Sequence, residues 1–334
     1  MPPVLYLAIP CYNEEEVLPE TAKQLNLKFE QLIGSHQIAT NSRICFIDDG
    51  SKDQTWTLIE RFHQENPRFE GIKLSRNRGH QNALLCGLLT LRDFADAVIS
   101  MDADLQDDLC VIDKMIHEFS NNHCDIVYGV RESRKTDSFF KRFTAQSYYK
   151  ILEAMDCEVI YNHADCRLMS KRALTALGGY HEVNLYLRGL VPLIGYPSSI
   201  VTYPRQKRFA GESKYPLKKM LALAWQGISS LSIKPIAWIT KLGMITFVLS
   251  LLMLIYFLYR YATGQTVVGW ASIAVSVWAI GGLQLLSLGV IGEYVGKMYL
   301  ETKARPRYLI QTLLHSDEDQ NNSYDCSTES NAKT

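Results

Sequence analysis

Asp102, Asp104 and Gln106 stand two residues apart in Asp102-Ala103-Asp104-Leu105-Gln106-Asp107, directly after the apolar run Ala97-Val98-Ile99-Ser100-Met101. A buried strand that ends in such acids sets carboxylates at the carboxyl edge of a sheet, where open α/β folds bind ligands. Hard carboxylate oxygens suit Mg²⁺ or Mn²⁺, ions that commonly take one or two protein carboxylates and leave the remaining positions to water and substrate phosphate. The chemistry implied is metal-assisted transfer from a diphosphate. For an isolated Asp-x-Asp, capping of the next helix is the competing reading.

Two further polar turns tip that balance. Pro10-Cys11-Tyr12-Asn13-Glu14-Glu15 follows the apolar run Val4–Pro10, and Asp48-Asp49-Gly50-Ser51-Lys52-Asp53 follows Ile44–Asp48. Together with Gly71–Leu74, Ala97–Met101 and Asp125–Val130, these runs alternate with helical spacing at Glu14–Ile33, Asp53–His63 and Asn82–Leu91. Such alternation predicts an α/β fold, a mostly parallel sheet covered by helices. In that sheet all three turns converge on one edge. Taken singly, Asn13 or Glu14 reads equally as a helix cap, and Asp49-Gly50-Ser51 as a plain turn.

The three turns resemble the nucleotide-sugar site of family 2 glycosyltransferases with the GT-A fold, which is Rossmann-like. The resemblance continues through Ser75-Arg76-Asn77-Arg78-Gly79-His80-Gln81, Ala164-Asp165-Cys166-Arg167-Leu168-Met169 and Arg208-Phe209-Ala210-Gly211-Glu212-Ser213-Lys214-Tyr215. It covers roughly residues 4 to 310 and is similar to the polyprenyl-phosphate (bactoprenol) glucosyltransferase branch, related to dolichyl-phosphate mannose synthase. By that resemblance Asp48 or Asp49 recognises the base, and Pro10, Tyr12 and Glu14 wall the base and ribose. Asn13 and Arg76 join the donor site. Asp104 and Gln106 contact the metal, with Asp102 close to the ribose and metal. Arg208 and Lys214 lie on a loop that closes over the diphosphate, where basic groups stabilise charge on the leaving nucleotide.

Arg131 follows the run Asp125–Val130 and matches an acceptor-pocket arginine, whose guanidinium fork can grip a phosphate. Asp165 matches the position of a proposed catalytic base. A lipid monophosphate is already ionised near neutral pH, so orienting the acceptor or Arg131 is the other role open to Asp165. Where the family often has two prolines after the acidic motif, Asp107-Asp108-Leu109 adds charge, which predicts a less rigid loop. Cys166 and Arg78 replace aromatics beside the sugar or acceptor pocket. His80 and His163 have no compelling partner in the sequence, and His80 is assigned to a hydrogen-bond network at a helix start.

Composition bounds the rest. The 334 residues carry 35 basic and 35 acidic side chains, so nucleic acid binding has no electrostatic footprint at whole-chain level. Eight cysteines form no C-x-x-C pair or zinc spacing and read as reduced thiols. Leu242 to Tyr259 and Tyr261 to Gly292 carry no charge, and each is long enough to cross a bilayer. Lysines and arginines flank both stretches, and the tip between them holds only Arg260, which predicts a hairpin with both flanks cytoplasmic. The opening run Val4–Pro10 lacks the features of a signal peptide. Pro216–Gln226 mixes lysines with a Leu/Met/Trp face and predicts an interfacial helix.

The expected organisation is a cytoplasmic catalytic domain over 1–204, then a donor-closing loop and amphipathic helix over 205–234. A two-helix hairpin over 235–296 and a C-terminal segment over 297–334, ending in a disordered acidic tail, complete it. The expected activity is inverting transfer of a hexose, glucose from UDP-glucose, onto undecaprenyl or another polyprenyl phosphate for cell-envelope glycans. UDP-N-acetylglucosamine is the alternative donor, and a flippase partner and a homo-oligomer are further expectations. The competing classes are a processive polysaccharide synthase, whose Gln-x-x-Arg-Trp motif and channel are not visible here, and a non-catalytic membrane scaffold.

Overall fold

A strand can be apolar at every position only when both of its faces are covered, and β1 (Leu5–Cys11) is buried along its whole length. The computed structural model describes residues 1–131, 163–204, 234–263 and 270–316. In chain order β1 is followed by α1 (Leu18–Gly34), β2 (Arg43–Asp48), α2 (Thr55–Glu65), β3 (Phe69–Leu74), α3 (His80–Leu91), β4 (Ala97–Ser100), α4 (Cys110–Asn121) and β5 (Ile126–Arg131). Then come β6 (His163–Ser170), α5 (Lys171–Gly178), α6 (Leu187–Leu193), β7 (Ser198–Tyr203), α7 (Lys234–Ala262), α8 (Trp270–Lys303) and β8 (Ile310–Leu314).

The strands form one eight-stranded sheet in the order β7-β5-β6-β4-β1-β2-β3-β8. β1 runs parallel to β2 and β4, β2 to β3, and β5 to β7. β6 is antiparallel to both of its neighbours, and β8 is antiparallel to β3. This is the α/β, mostly parallel GT-A-like sheet the sequence predicts. Each run lands within a few residues of its strand; α1 starts at Leu18 rather than Glu14, with Pro19 in its first turn.

Alternation along β1 builds two cores. Leu5, Leu7 and Ile9 pack with Leu18, Leu25, Phe29 and Leu32 of α1 and with Val111, Ile112 and Met115 of α4. Tyr6 and Ala8 pack on the other face with α3, with Leu174 and Leu177 of α5, and with Leu187 and Leu190 of α6. With Ala22, the α1 residues recur at three- and four-residue intervals, one stripe of a helix. Burial of a leucine or phenylalanine contributes about 1.5–3 kcal/mol, so this double layer is what holds the sheet edge rigid. The described cysteines are free thiols, buried except for Cys110.

β8 arrives from the segment after α8 and covers the edge of β3, closing one open side of the sheet. Counting described residues alone, no helix is long and apolar enough to cross a membrane. The two transmembrane spans therefore remain unsupported at this level. Arg208, Lys214, the stretch Pro216–Gln226 and the tail from Asp317 lie outside the described residues.

Gly50 follows β2 with φ +67°, and a Cβ there would stand 2.6 Å from the backbone nitrogen of Asn77. Both the left-handed conformation and the close approach of the 75–79 loop demand glycine. Gly50→Ala is expected to destabilise the protein by about 1–3 kcal/mol. Denaturant unfolding of the two proteins checks this, and coincident midpoints would contradict it.

Candidate active site at the carboxyl edge of the sheet

Because β4 and β5 run in the same direction, Asp102 and Arg131 emerge on one edge; β6, running oppositely between them, starts there and brings Asp165 alongside. The Ser100 hydroxyl, at the end of β4, donates to the backbone carbonyl of Asp165. The N-terminus of α3 delivers His80 to the same place. Its Nε2 lies 3.5 Å from Asp165 Oδ2 and 3.8 Å from Asp102 Oδ1. One ligand atom from each of His80, Asp102 and Asp165 falls within a 4.8 Å group that could hold a metal ion.

α6 supplies the counter-charge. Arg188 donates from Nε and Nη2 to the two oxygens of Asp165, at 3.0 Å each, a bidentate fork. Burial pushes the Asp165 carboxyl upward, but His80 and Arg188 outweigh it and hold the pKa well below the usual carboxylate range. An acid that strong is a poor proton acceptor, which favours the orienting role over the base role. The group Asp165 holds is Arg188, however, and not Arg131. Burial disfavours charge on His80, yet Asp165 and Asp102 together raise its pKa.

Arg131 is engaged elsewhere. Its Nε donates to Asp107 Oδ1 at 2.9 Å, its Nη2 lies 2.8 Å from the same oxygen, and Nη2 stands 3.5 Å from Asp102 Oδ2. Tyr203, at the end of β7, donates its hydroxyl to Asp107 Oδ1 at 2.7 Å. Asp107 is buried, and through Arg131 and Tyr203 it pins to β5 and β7 the loop that the loss of two prolines and the added charge of Asp108 predict to be less rigid. A buried carboxylate must find partners, and here they come from two neighbouring strands.

The donor turns interlock through short polar bonds. Asn13, at φ 53°, accepts the Lys52 N–H on its Oδ1 at 2.9 Å, and its own N–H donates to Ser51 Oγ at 3.0 Å. Glu14 N–H donates to Thr55 Oγ1 at 2.9 Å. Both oxygens of Asp49 accept backbone N–H groups, from Arg78 at 2.7 Å and Gly79 at 2.9 Å. Asp48 accepts the Ser51 N–H on Oδ1, while its buried Oδ2 has no hydrogen-bond partner among the described residues. Pro10 is buried in β1, whereas Tyr12 and Arg76 are exposed at the edge.

The acidic motif fits a divalent cation. Burial first, then the charges of Asp165, Asp107 and Asp104, push the Asp102 carboxyl up to about 6 against the opposing pull of His80. A carboxylate crowded by carboxylates in a cleft gains when a cation arrives. Asp104 Oδ1 accepts the backbone N–H of Gln106 at 3.2 Å, which shapes the turn that carries both residues. His80, Asp107 and Arg188 are the participants that sequence reasoning missed. Arg167 of β6 is buried beneath this edge with its guanidinium 5.9 Å from the Tyr128 ring centroid, and its nitrogens have no hydrogen-bond partner among the described residues. A surface cleft of about 980 Å³ lies away from this edge, between Pro3, His36, His117 and Ile200.

Polar turns after β1, β2 and β4 and a carboxylate from the antiparallel β6 thus meet on one edge of a GT-A-like sheet. The chain matches the model of glycosyl transferase family 2 over residues 6–178 and belongs to that family; it is a glycosyltransferase. It is 49% identical to the uncharacterized glycosyltransferase YkoT of Bacillus subtilis, over 95% of this chain and 94% of the relative. It is 36% identical to the bactoprenol glucosyl transferase of Shigella phage SfX, over 92% of this chain and 98% of the relative. Mannosyl-3-phosphoglycerate synthase from Rubrobacter xylanophilus superposes with a TM-score of 0.46 at 14% identity, covering 67% of this chain and 71% of that one.

Two stability outcomes follow from the ion pairs. Asp107→Ala removes the carboxylate nearest Arg131 and is expected to cost about 3 kcal/mol, while Tyr203→Phe removes one bond and costs about 1 kcal/mol. Because the folded pKa of Asp165 is depressed, its pairing stabilises above the ordinary carboxylate pKa of about 3.9 and fades as pH falls through the lowered value. Arg188→Ala should therefore destabilise strongly at pH 7 and progressively less in acid. Urea unfolding across a pH series checks both, and a loss for Arg188→Ala that is independent of pH would contradict the assignment.

Proposed function

We propose that this glycosyltransferase moves glucose from UDP-glucose, with inversion at C1, onto a polyprenyl phosphate at the cytoplasmic face of a membrane. The observation that carries the reading is the near full-length likeness to a bactoprenol glucosyl transferase, in a chain that retains the acidic edge. The activity for which that relative is named supports the acceptor and the sugar. The geometry supports the chemistry.

Mg²⁺ or Mn²⁺, when bound by Asp102 and Asp104 with Gln106 beside them, would neutralise charge on the donor diphosphate. The imidazole of His80 and the carboxylate of Asp165 border the same space, a mixed set that suits Mn²⁺ better than Mg²⁺. Asp48, with one oxygen unpaired, is the stronger candidate of the two adjacent acids for the uracil N3–H, because both oxygens of Asp49 are taken. Tyr12 and Arg76 are exposed where the base and diphosphate would lie. The acceptor phosphate needs no proton removed, so Asp165 serves by fixing the local charges rather than as a base. Arg131 is assigned to the acceptor phosphate, and Arg208 and Lys214 to the leaving diphosphate, on the strength of the motifs they occupy.

The membrane assignment rests on α7 and α8, of 29 and 34 residues. At 1.5 Å per residue both are longer than the roughly 30 Å hydrocarbon core, although among the described residues neither combines that length with the apolarity of a span; the charge-free runs Leu242–Tyr259 and Tyr261–Gly292 of the sequence supply that part of the reading. Their described side chains include Leu249, Leu252, Ile255, Leu285, Leu286 and Leu288, all exposed. An apolar surface of that extent calls for lipid or a partner. A membrane-held enzyme meets a substrate that cannot leave the bilayer.

Incubation of the purified full-length protein with undecaprenyl phosphate and a panel of nucleotide sugars, read by mass spectrometry of the lipid, is expected to give the glucosyl lipid from UDP-glucose. Excess chelator and Asp104→Ala should each abolish it. A glycosylated lipid formed only from another donor would overturn the choice of glucose, and full turnover in chelator would overturn the metal. A reporter at Thr263 should lie outside the cell; an internal signal there would reverse the topology.

A further inference from the structure

α8 ends in an acid, Glu301, in the last turn before Lys303. Negative charge at a helix C-terminus opposes the macrodipole, so the residue does not serve its own helix. Its carboxylate instead reaches the connection between α5 and α6. Oε2 accepts the N–H of Val183 at 2.8 Å, and Oε1 accepts the N–H of Asn184 at 2.8 Å and its side-chain Nδ2 at 2.7 Å. Asn184 Nδ2 also approaches the carbonyl of Lys297, one turn back along α8, at 3.4 Å. Arg307, just beyond the helix, donates to the carbonyl of Tyr180 at 2.8 Å.

The connection so gripped leads directly into the active site. Leu185, Tyr186 and Leu187 are buried, which leaves little slack between Asn184 and the start of α6. The N–H of Leu187 donates to Gln81 Oε1 at 2.8 Å, and Gln81 is the neighbour of His80. The next residue is Arg188, whose fork holds Asp165. A continuous run of charge-assisted bonds and packed side chains therefore joins the end of α8 to the carboxylate in the sugar-transfer site.

We infer that Glu301 is a positioning residue: its carboxylate clamps the Val183–Asn184 backbone so that α6 presents Arg188 to Asp165 in the reactive geometry. The inference rests on the proposed reading of Asp165 as part of the transfer site. It makes α8 a working part of the enzyme as well as an anchor. Small displacements of a group near the reacting atoms cost rate far more than binding, so the signature of the clamp is in kcat.

The test uses the full-length protein with UDP-glucose and undecaprenyl phosphate, comparing the parent with Glu301→Ala, Glu301→Gln, Arg188→Gln and the double variant Glu301→Ala/Arg188→Gln. Glu301→Ala should lower kcat roughly tenfold, about 1.4 kcal/mol of barrier, with KM for UDP-glucose unchanged within about twofold. Glu301→Gln, which keeps one acceptor, should fall between. The double variant should be no slower than Arg188→Gln, because both act on one carboxylate. Parent-like kcat for Glu301→Ala, losses that multiply in the double variant, or a rise in KM with kcat intact would each overturn the inference. Hydrogen exchange at Val183, Asn184 and Leu187 separates it from the parent reading. Were the parent protein to make no glycosylated lipid, the proposed reaction would fail, while faster exchange in Glu301→Ala would uphold the clamp and unchanged exchange would refute it.

Discussion

Four carboxylates cannot share one cleft without cations, and the arrangement of this molecule follows from that constraint. Asp102, Asp104, Asp107 and Asp165 converge where β4 ends and β6 begins, close enough that the Asp102 carboxyl is pushed up to about 6 by burial and by its acidic neighbours. The protein answers with a basic group from each surrounding element. His80 comes from the start of α3, Arg131 from the end of β5 and Arg188 from α6. Each is held by the packing of its own element, so the charges are organised before any substrate arrives, which is the condition under which electrostatics accelerate transfer.

The two arginines divide the work. Arg131 is bound to Asp107, which is nearly inaccessible at 2% side-chain exposure, whereas Arg188 and His80 remain more than 40% exposed beside Asp165. The Asp107, Arg131 and Tyr203 group ties the loop after β4 to the ends of β5 and β7. The Asp165, Arg188 and His80 group faces the open cleft and can respond to a ligand. A substrate phosphate entering there would meet a carboxylate whose charge is already compensated, so repulsion does not bar it.

Much of this could be seen in the sequence, and for identifiable reasons. β1 and β2 are central strands covered on both faces, so Leu5–Ile9 and Ile44–Ile47 read as unbroken apolar runs that end in polar turns. The carboxyl-edge positions of Tyr12, Asp48, Asp49 and Asp102 follow from that alternation. β6 was less legible, because Asp165 and Arg167 interrupt its apolar pattern and its antiparallel direction breaks the βα rhythm. The roles of Asp107 and Arg188 depend on partners 24 and 23 residues away, Arg131 and Asp165. Contacts of that kind leave no local spacing to read. β8 is similar: five residues beyond the long helices complete a sheet begun at residue 5.

The account makes the acidic edge the place where nucleotide and cation meet, and a structure determined with UDP and Mn²⁺ tests that directly. Anomalous scattering should place the manganese against Asp102 and Asp104, with the uracil beside Asp48 and the diphosphate between them. Manganese bound elsewhere, or UDP seated in the cleft between His36 and His117, would contradict it.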